Sequence, residues 1–256
     1  MAPNPSDRHL LEVEGWIVSR SWGAAGPFHA RPVPEPTEAS VWIRNLRSPA
    51  LVLGSNQDDS LVDRAEAKRA GIEVCRRRSG GGLVVLRPHN DLWIDVIVPR
   101  ASDLWDDDVG HAFEFLGEVW AAALQESLET FAVASSGVSA GYRPRIEVHR
   151  GRPFGRSAGA ILCFAGLGSG EVTVDGRKVV GLSQRRTRHC ARFQSVMTWG
   201  WESAFLEPLV RVDRLLEVGV ALRDLAIGLP PNVLDSPQAP TIPAMTDAFL
   251  RALPSP

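Results

Sequence analysis

The sequence predicts an α+β protein built as a mixed β-sheet flanked by helices, on three observations. Short apolar runs such as SVWIRNL (40–46), ALVL (50–53) and LWIDVIV (92–98) are bounded by Gly, Pro, Asn or Asp, as strands are. These runs interleave with helix-like stretches, but without the strict strand–helix–strand rhythm of an all-parallel sheet. The 256 residues, 44% of them apolar, are enough for one large core, and no repeat or low-complexity segment interrupts them.

LEVEGWIVSR, ending at residue 20, alternates as a strand, and AAGPFHARPVPEPTE (24–38) is a Pro-rich connector that cannot continue it. SVWIRNL and ALVL are two buried strands separated by Arg47-Ser48-Pro49. Residues 58–70, DDSLVDRAEAKRA, have acids first, bases late and Gly71 just beyond, which predicts a helix. GIEVCRR follows as a strand. LVVL (83–86) and LWIDVIV are strands joined by a turn at Arg87–Asp91. The longest helix is expected over about 103–136, opened by acids and apolar at Phe113, Leu116, Val119, Trp120 and Leu124. AILCFAG (160–166) is an apolar strand. EVTVDGRKVVG (171–181) holds Asp175-Gly176, a hairpin signal that pairs Val174 with Arg177, Thr173 with Lys178 and Val172 with Val179. LLEVGVALRDLAIGL (215–229) and MTDAFLRAL (245–253) are the last helices, separated by a proline-studded linker. The expected division is 1–39 (N-terminal strand and connector), 40–230 (main domain) and 231–256 (linker and terminal helix).

The 28 basic and 30 acidic residues nearly cancel, so no overall field draws the chain to nucleic acid or a membrane, and any anion site is local. Charges interrupt the first twenty residues where a secretory signal has its apolar centre, and no run of about 18 apolar residues occurs. A cytoplasmic protein is expected. Cys75, Cys163 and Cys190 are odd in number and lack metal-ligand spacing, which predicts reduced thiols and no tightly bound metal.

Two segments carry chemistry. In CRRRSGGG (75–82) three glycines permit close backbone approach and the arginines form a local cation cluster, suited to a phosphate- or carboxylate-bearing ligand. A strand follows, whereas a P-loop or dinucleotide loop is followed by a helix. The plain alternative is a flexible bend with solvated arginines. In the hairpin, Lys178 stands among valines before Gly181-Leu182-Ser183, which suggests an ammonium in a pocket; the alternative is a snorkelling edge lysine. Cys190 beside His189 makes a poor dyad, since neighbours on a strand face opposite ways. His111 and His149 have no acidic partner at a telling spacing.

Together RRRSGGG (76–82) and DGRKVVGLSQRR (175–186) resemble the paired signatures RR-x-S/T-GGG and G-x-K-x-x-G-x-A/S of the lipoate–protein ligase and octanoyltransferase family. The resemblance spans about residues 40–205 and makes 40–230 a lipoate ligase-like catalytic domain. It implies a mixed sheet related to biotin ligases, and transfer of a lipoyl or octanoyl group to a lysine of a lipoyl domain. By matching position it implies that Arg76, Arg77, Ser79, Gly80, Gly81 and Gly82 hold the acyl chain and adenylate. Lys178 would contact the acyl carbonyl or phosphate, with Gly181 and Ser183 completing its loop.

The chain departs from the family where GGG-A-V-x-H-D has Leu86 and Arg87 here, and where an Asn-Asp pair is replaced by Leu162-Cys163-Phe164. The Cys-Phe pair resembles the octanoyltransferase branch, which implies Cys163 as an acyl-accepting nucleophile; the alternative is a buried, inert thiol. The acidic helix frequent near the family's N-terminus is replaced by the Pro-rich stretch, and about fifty residues after Pro208 leave no room for the accessory domain of many ligases. The resemblance implies ATP and Mg for a ligase, or acyl carrier protein as donor for a transferase, with lipoate or octanoate as the acyl source. Other readings are a biotin–protein ligase relative or a non-catalytic binder of acylated partners.

Overall fold

A computed structural model describes residues 9–33, 35, 37–134 and 141–256. The chain opens with β1 (His9–Val13) and β2 (Trp16–Gly23), a hairpin turning at Glu14 and Gly15, whose φ values are 47° and 88°. One continuous strand was expected here; two successive left-handed residues are what a two-residue hairpin loop needs. Inside the Pro-rich connector, Ala25–Ala30 forms a short helix, α1. Its first amides have no local cap, and the Glu73 carboxylate accepts from Ala25 N (2.7 Å) and Gly26 N (3.0 Å) instead.

Next come β3 (Ser40–Leu46), β4 (Ala50–Leu53), α2 (Arg64–Arg69) and β5 (Glu73–Arg76). The helix expected over 58–70 is split. Asp58 accepts from Ser60 N (2.7 Å) and Asp63 from Glu66 N (2.8 Å), so each aspartate starts its own turn, with Val62 extended between them. β6 (Val84–Leu86) and β7 (Asp91–Pro99) are strands as expected, but they enter different sheets. α3 (Glu114–Ala134) begins later than expected: the carboxylates of Asp106 and Asp108 accept from nearby amides, Asp108 N (2.7 Å) and Gly110 N (2.7 Å), and hold tight turns there. Its expected end near residue 136 lies outside the described residues.

β8 (Ile146–Val148) is followed by α4 (Arg156–Ile161) and a 3-10 turn at Cys163–Ala165, where AILCFAG was expected to be a strand. β9 (Val172–Val174), β10 (Arg177–Arg186) and β11 (Cys190–Thr198) complete the strands. The hairpin pairs Val174 with Arg177 and Thr173 with Lys178 as expected; an irregularity then puts Val172 opposite Val180 in place of Val179. α5 (Ser203–Leu206), α6 (Val212–Leu216), α7 (Pro231–Leu234) and α8 (Ile242–Arg251) end the chain. The helix expected over 215–229 shrinks to α6 and a later 3-10 turn, because Gly219 at φ 77° ends it.

Eight strands form one mixed sheet, ordered β1-β2-β3-β7-β11-β10-β9-β8, and β5-β4-β6 form a second. One face of the large sheet is apolar. Val18, Val41, Ile94, Val96 and Phe193 pack there under α3 and α8, with the Trp120 and Phe249 rings 4.6 Å apart. The strand registers put Gly181, Val196, Trp93 and Arg44 in one row of the opposite face, and Ser183, Gln194, Asp95 and Trp42 in the next. The small sheet packs against this second face, with Val52, Val84 and Leu86 meeting Trp93 and Val196.

Candidate active site

The glycine loop owes its composition to topology. β5 and β6 lie on either side of β4, so the chain between them must cross the end of β4. Gly54 directly follows β4, and a Cβ there would lie 1.9 Å from Gly81 O. Gly81 has φ 95°, and a Cβ on Gly82 would lie 2.3 Å from Gly159 O. Side chains at these positions would block the crossing. Arg77, buried, donates to Gly80 O (2.8 Å) and Gly82 O (2.9 Å) and holds the loop in shape. Arg76 turns the other way, donating to Gly54 O (2.7 Å) and Gln57 O (2.7 Å) and pairing with Asp59 at 2.7 Å. The loop reaches the large sheet through Ser79, whose hydroxyl lies 3.2 Å from Ser183 Oγ and 3.3 Å from Gln194 Oε1.

Lys178 is buried at 5% exposure and all three of its ammonium hydrogens have partners. Nζ donates to Cys163 O (2.9 Å) and Gly166 O (2.8 Å) and pairs with Glu171 Oε2 at 2.5 Å. Glu171 is equally enclosed and also accepts from Leu182 N (3.1 Å) and Gly168 N (2.6 Å). Such satisfaction is what a buried charge requires. The lysine therefore clamps the 163–166 turn beside the strand that carries Gly181 and Ser183. On the far side, Cys163 N donates to Leu83 O (2.9 Å), fastening the turn to the end of the glycine loop.

Between the sheets lies an apolar cavity of about 30 Å³, to which Val52, Leu86, Trp93 and Val196 contribute alongside Cys163 and Gly181. Of the residues singled out from the sequence, Arg77, Cys163, Gly181 and Ser183 line it, Ser79 and Lys178 are bonded to its lining residues, and Arg76 stands away from it. A second cavity of about 180 Å³ adjoins it; Arg78, Arg185 and Arg192 face it, and His29 and Gln194 line both.

Several residues of this region were missed. Asp95 is fully buried and pairs with Arg192 (2.7 Å) and Arg44 (3.3 Å), with Trp93 Nε1 donating to it at 2.8 Å. Burial works against its charge, but the two guanidiniums outweigh that and hold its carboxyl below the usual range. Burial, opposed by Asp95, lowers Arg44 to about 10. His29, brought over the sheet by α1, is lowered by burial to about 3 and is neutral. A charged residue inside the apolar run LWIDVIV was the available signal for Asp95; nothing local marked His29. Among the described residues no three His, Cys, Asp or Glu side chains converge as metal ligands, and no helix is long and apolar enough to cross a membrane.

Residues 33–215 match the family model of the lipoyl protein ligase A/B catalytic domain. The chain belongs to that family, whose ligases and transferases act in protein lipoylation. Its fold is shared with a bi-partite lipoate protein ligase from Thermoplasma acidophilum, described together with its E2 lipoyl domain, at 15% identity and a TM-score of 0.59 over 94% of this chain and 82% of that one. It is similar also to a lipoate-protein ligase A bound with ATP, at 15% identity and a TM-score of 0.53 over 88% and 74% of the two chains. A third relative in fold, a T. acidophilum protein with bound lipoic acid, has the same identity, TM-score and coverage. None of the curated proteins matches the chain in sequence. The resemblance and the fold class drawn from the sequence are both borne out; one sheet was expected, and the structure divides the strands between two.

Proposed function

We propose that this protein joins a medium-chain acyl group, lipoyl or octanoyl, to a lysine of a lipoyl domain in the cytoplasm, using Cys163 and Lys178. The observation that carries this reading is that Cys163 lines the apolar cavity while the buried Lys178 holds the Cys163 backbone carbonyl from behind that lining, with Ser79 of the glycine loop bonded to Ser183 at the same cavity. A volume of about 30 Å³ is that of one water, so the acyl chain widens the space between the sheets as it enters. The Cys163 thiolate attacks the donor thioester of an acyl carrier protein; the carrier thiol leaves, taking the proton, and an acyl-cysteine forms. The acceptor lysine amine then displaces Cys163, giving the amide and the free thiol. Lys178 exchanges one of its carbonyl partners for the developing oxyanion.

A second reading, an acyl-adenylate ligase using ATP with Mg, is favoured by the arginine-lined cavity of about 180 Å³, where Arg78 and Arg185 suit a phosphate. ATP would supply activation of a free carboxylic acid. The folds that are similar to this one include proteins bound to lipoic acid and to ATP, which suits this reading.

Intact-protein mass spectrometry of the enzyme with octanoyl carrier protein, and separately with lipoate and Mg-ATP, tests the choice. An acyl adduct absent from Cys163→Ser supports the transferase. Activity that needs ATP and survives Cys163→Ser supports the ligase. With a lipoyl domain added afterwards, no acyl transfer from either donor removes both readings and leaves a binder, and in a parallel reaction given biotin and Mg-ATP a biotin adduct on the acceptor would indicate a biotin ligase relative.

A further inference from the structure

α1 sets the His29 ring against Trp93, stacked at 4.5 Å, with Nδ1 3.1 Å from Gln194 Nε2. The proton on this histidine can be located from its neighbours. Asp95, kept ionised by Arg44 and Arg192, only accepts, and its Oδ1 lies 3.5 Å from Gln194 Nε2. Ser79 Oγ lies 3.3 Å from Gln194 Oε1, at the other end of the amide. Gln194 therefore presents its NH₂ to both Asp95 and His29. His29 Nδ1 accepts, and because the ring is neutral its hydrogen sits on Nε2. That Nε2 is buried and has no partner.

A buried N–H without an acceptor is rare and unfavourable. His29 lines the apolar cavity stacked on Trp93 of β7, next to Gln194 of β11. Cys163 and Phe164 line it on the β10 side, where Phe164 lies against Gly181. β11 stands between β7 and β10, so Trp93 and Gly181 are two strand spacings apart, roughly 10 Å. An acyl group with its carbonyl at the Cys163 turn, which Lys178 holds, thus extends toward His29.

The geometry points to His29 as a specificity residue at the far end of the acyl pocket: it selects chains carrying a hydrogen-bond acceptor, oxygen or sulfur, near the end remote from the carboxyl. This rests on the acyl-transfer reading above. An unsubstituted alkyl end leaves the N–H desolvated and unpaired, so it binds about ten- to a hundredfold more weakly than a chain of the same shape that accepts from it.

The test is calorimetric titration with octanoic acid and with its ether analogue 6-methoxyhexanoic acid, which has the same length and one oxygen in place of a methylene. The wild-type protein is expected to favour the ether, relative to His29→Phe, by about tenfold. His29→Gln, which keeps a donor at the same place, is expected to retain part of that preference. Should His29→Phe fail to fold, ¹⁵N spectra of the wild-type histidines give the same test: the Nε2–H signal of His29 shifts with the ether and not with octanoate. An unchanged ratio in folded His29→Phe, or equal shifts with both acids, overturns the role of His29 while leaving the pocket intact. If neither acid binds the wild type at millimolar concentration, the acyl pocket and this role for His29 fall together.

Discussion

His29 should make the stability of the fold depend on mild acid in a way that one substitution removes. Burial is the main cause of its lowered pKa, the charges of Arg77, Arg192 and Arg44 add to it, and Asp95 opposes them; the result is about 3 against 6.5 for a free histidine. Between those values the unfolded chain binds a proton that the folded chain refuses. The stability is therefore fully present above pH 6.5 and declines as the pH falls toward 3. The slope approaches about 1.4 kcal/mol per pH unit, so moving from pH 7 to pH 5 should remove about 2 kcal/mol. Other groups contribute to the acid limb, but they are common to wild type and His29→Phe, so the difference between the two proteins isolates this one. Urea unfolding followed by tryptophan fluorescence at pH 7, 6 and 5 measures it. The advantage of wild type over His29→Phe should shrink by about 2 kcal/mol across that range. Parallel curves would show that His29 takes up its proton in the folded state and would refute the argument from burial.

Asp91 should act in the opposite direction. Burial, partly offset by Arg87, raises it to about 6 from 3.8, so the stability it contributes is present below pH 4 and lost as the pH rises through 6. Asp91→Asn should accordingly gain about 2 to 3 kcal/mol on wild type between pH 4 and pH 7.5 in the same urea experiment. Lys178→Met strands the Glu171 carboxylate in the interior and should cost about 3 to 5 kcal/mol, whereas the double variant Lys178→Met/Glu171→Leu should recover most of it; a strictly additive cycle would contradict the burial of this pair. Gly54→Ala puts a Cβ against Gly81 O, a backbone atom that cannot swing aside, and should lower stability by about 1 to 3 kcal/mol and displace the 79–82 loop, visible as lost ligand binding; Gly80→Ala, with open space around it, should not.

The fold was legible wherever the determinant is local. Asp175-Gly176 turns the β9–β10 hairpin, and the 3.6-residue spacing of Leu116, Val119, Trp120 and Leu124 marks the buried face of α3. Expectations missed where the decisive partner is distant. α1 is stabilised by Glu73 from another strand, so the Pro-rich stretch around it reads as a connector. α4 and the Cys163 turn follow from contacts with Gly82 and Leu83, which no strand-like pattern in AILCFAG could convey. The candidate site divides the same way. The glycines, Lys178 and Cys163 stand out through their motifs, while Arg76 and Arg77 proved to brace the backbone of the loop, a use invisible in a run of arginines. His29, Gln194 and Asp95 become a unit only when strand register and α1 superimpose them.

The most direct experiment is to incubate the protein with a lipoyl domain and each acyl donor in turn, then locate the added mass by peptide mapping of the acceptor. An octanoyl or lipoyl increment on one lysine of the lipoyl domain, lost when Cys163 or Lys178 is replaced in a folded variant, is the expected result. A lipoyl domain of unchanged mass with every donor, or transfer that persists in both variants, would contradict the assignment of acyl transfer to this cavity.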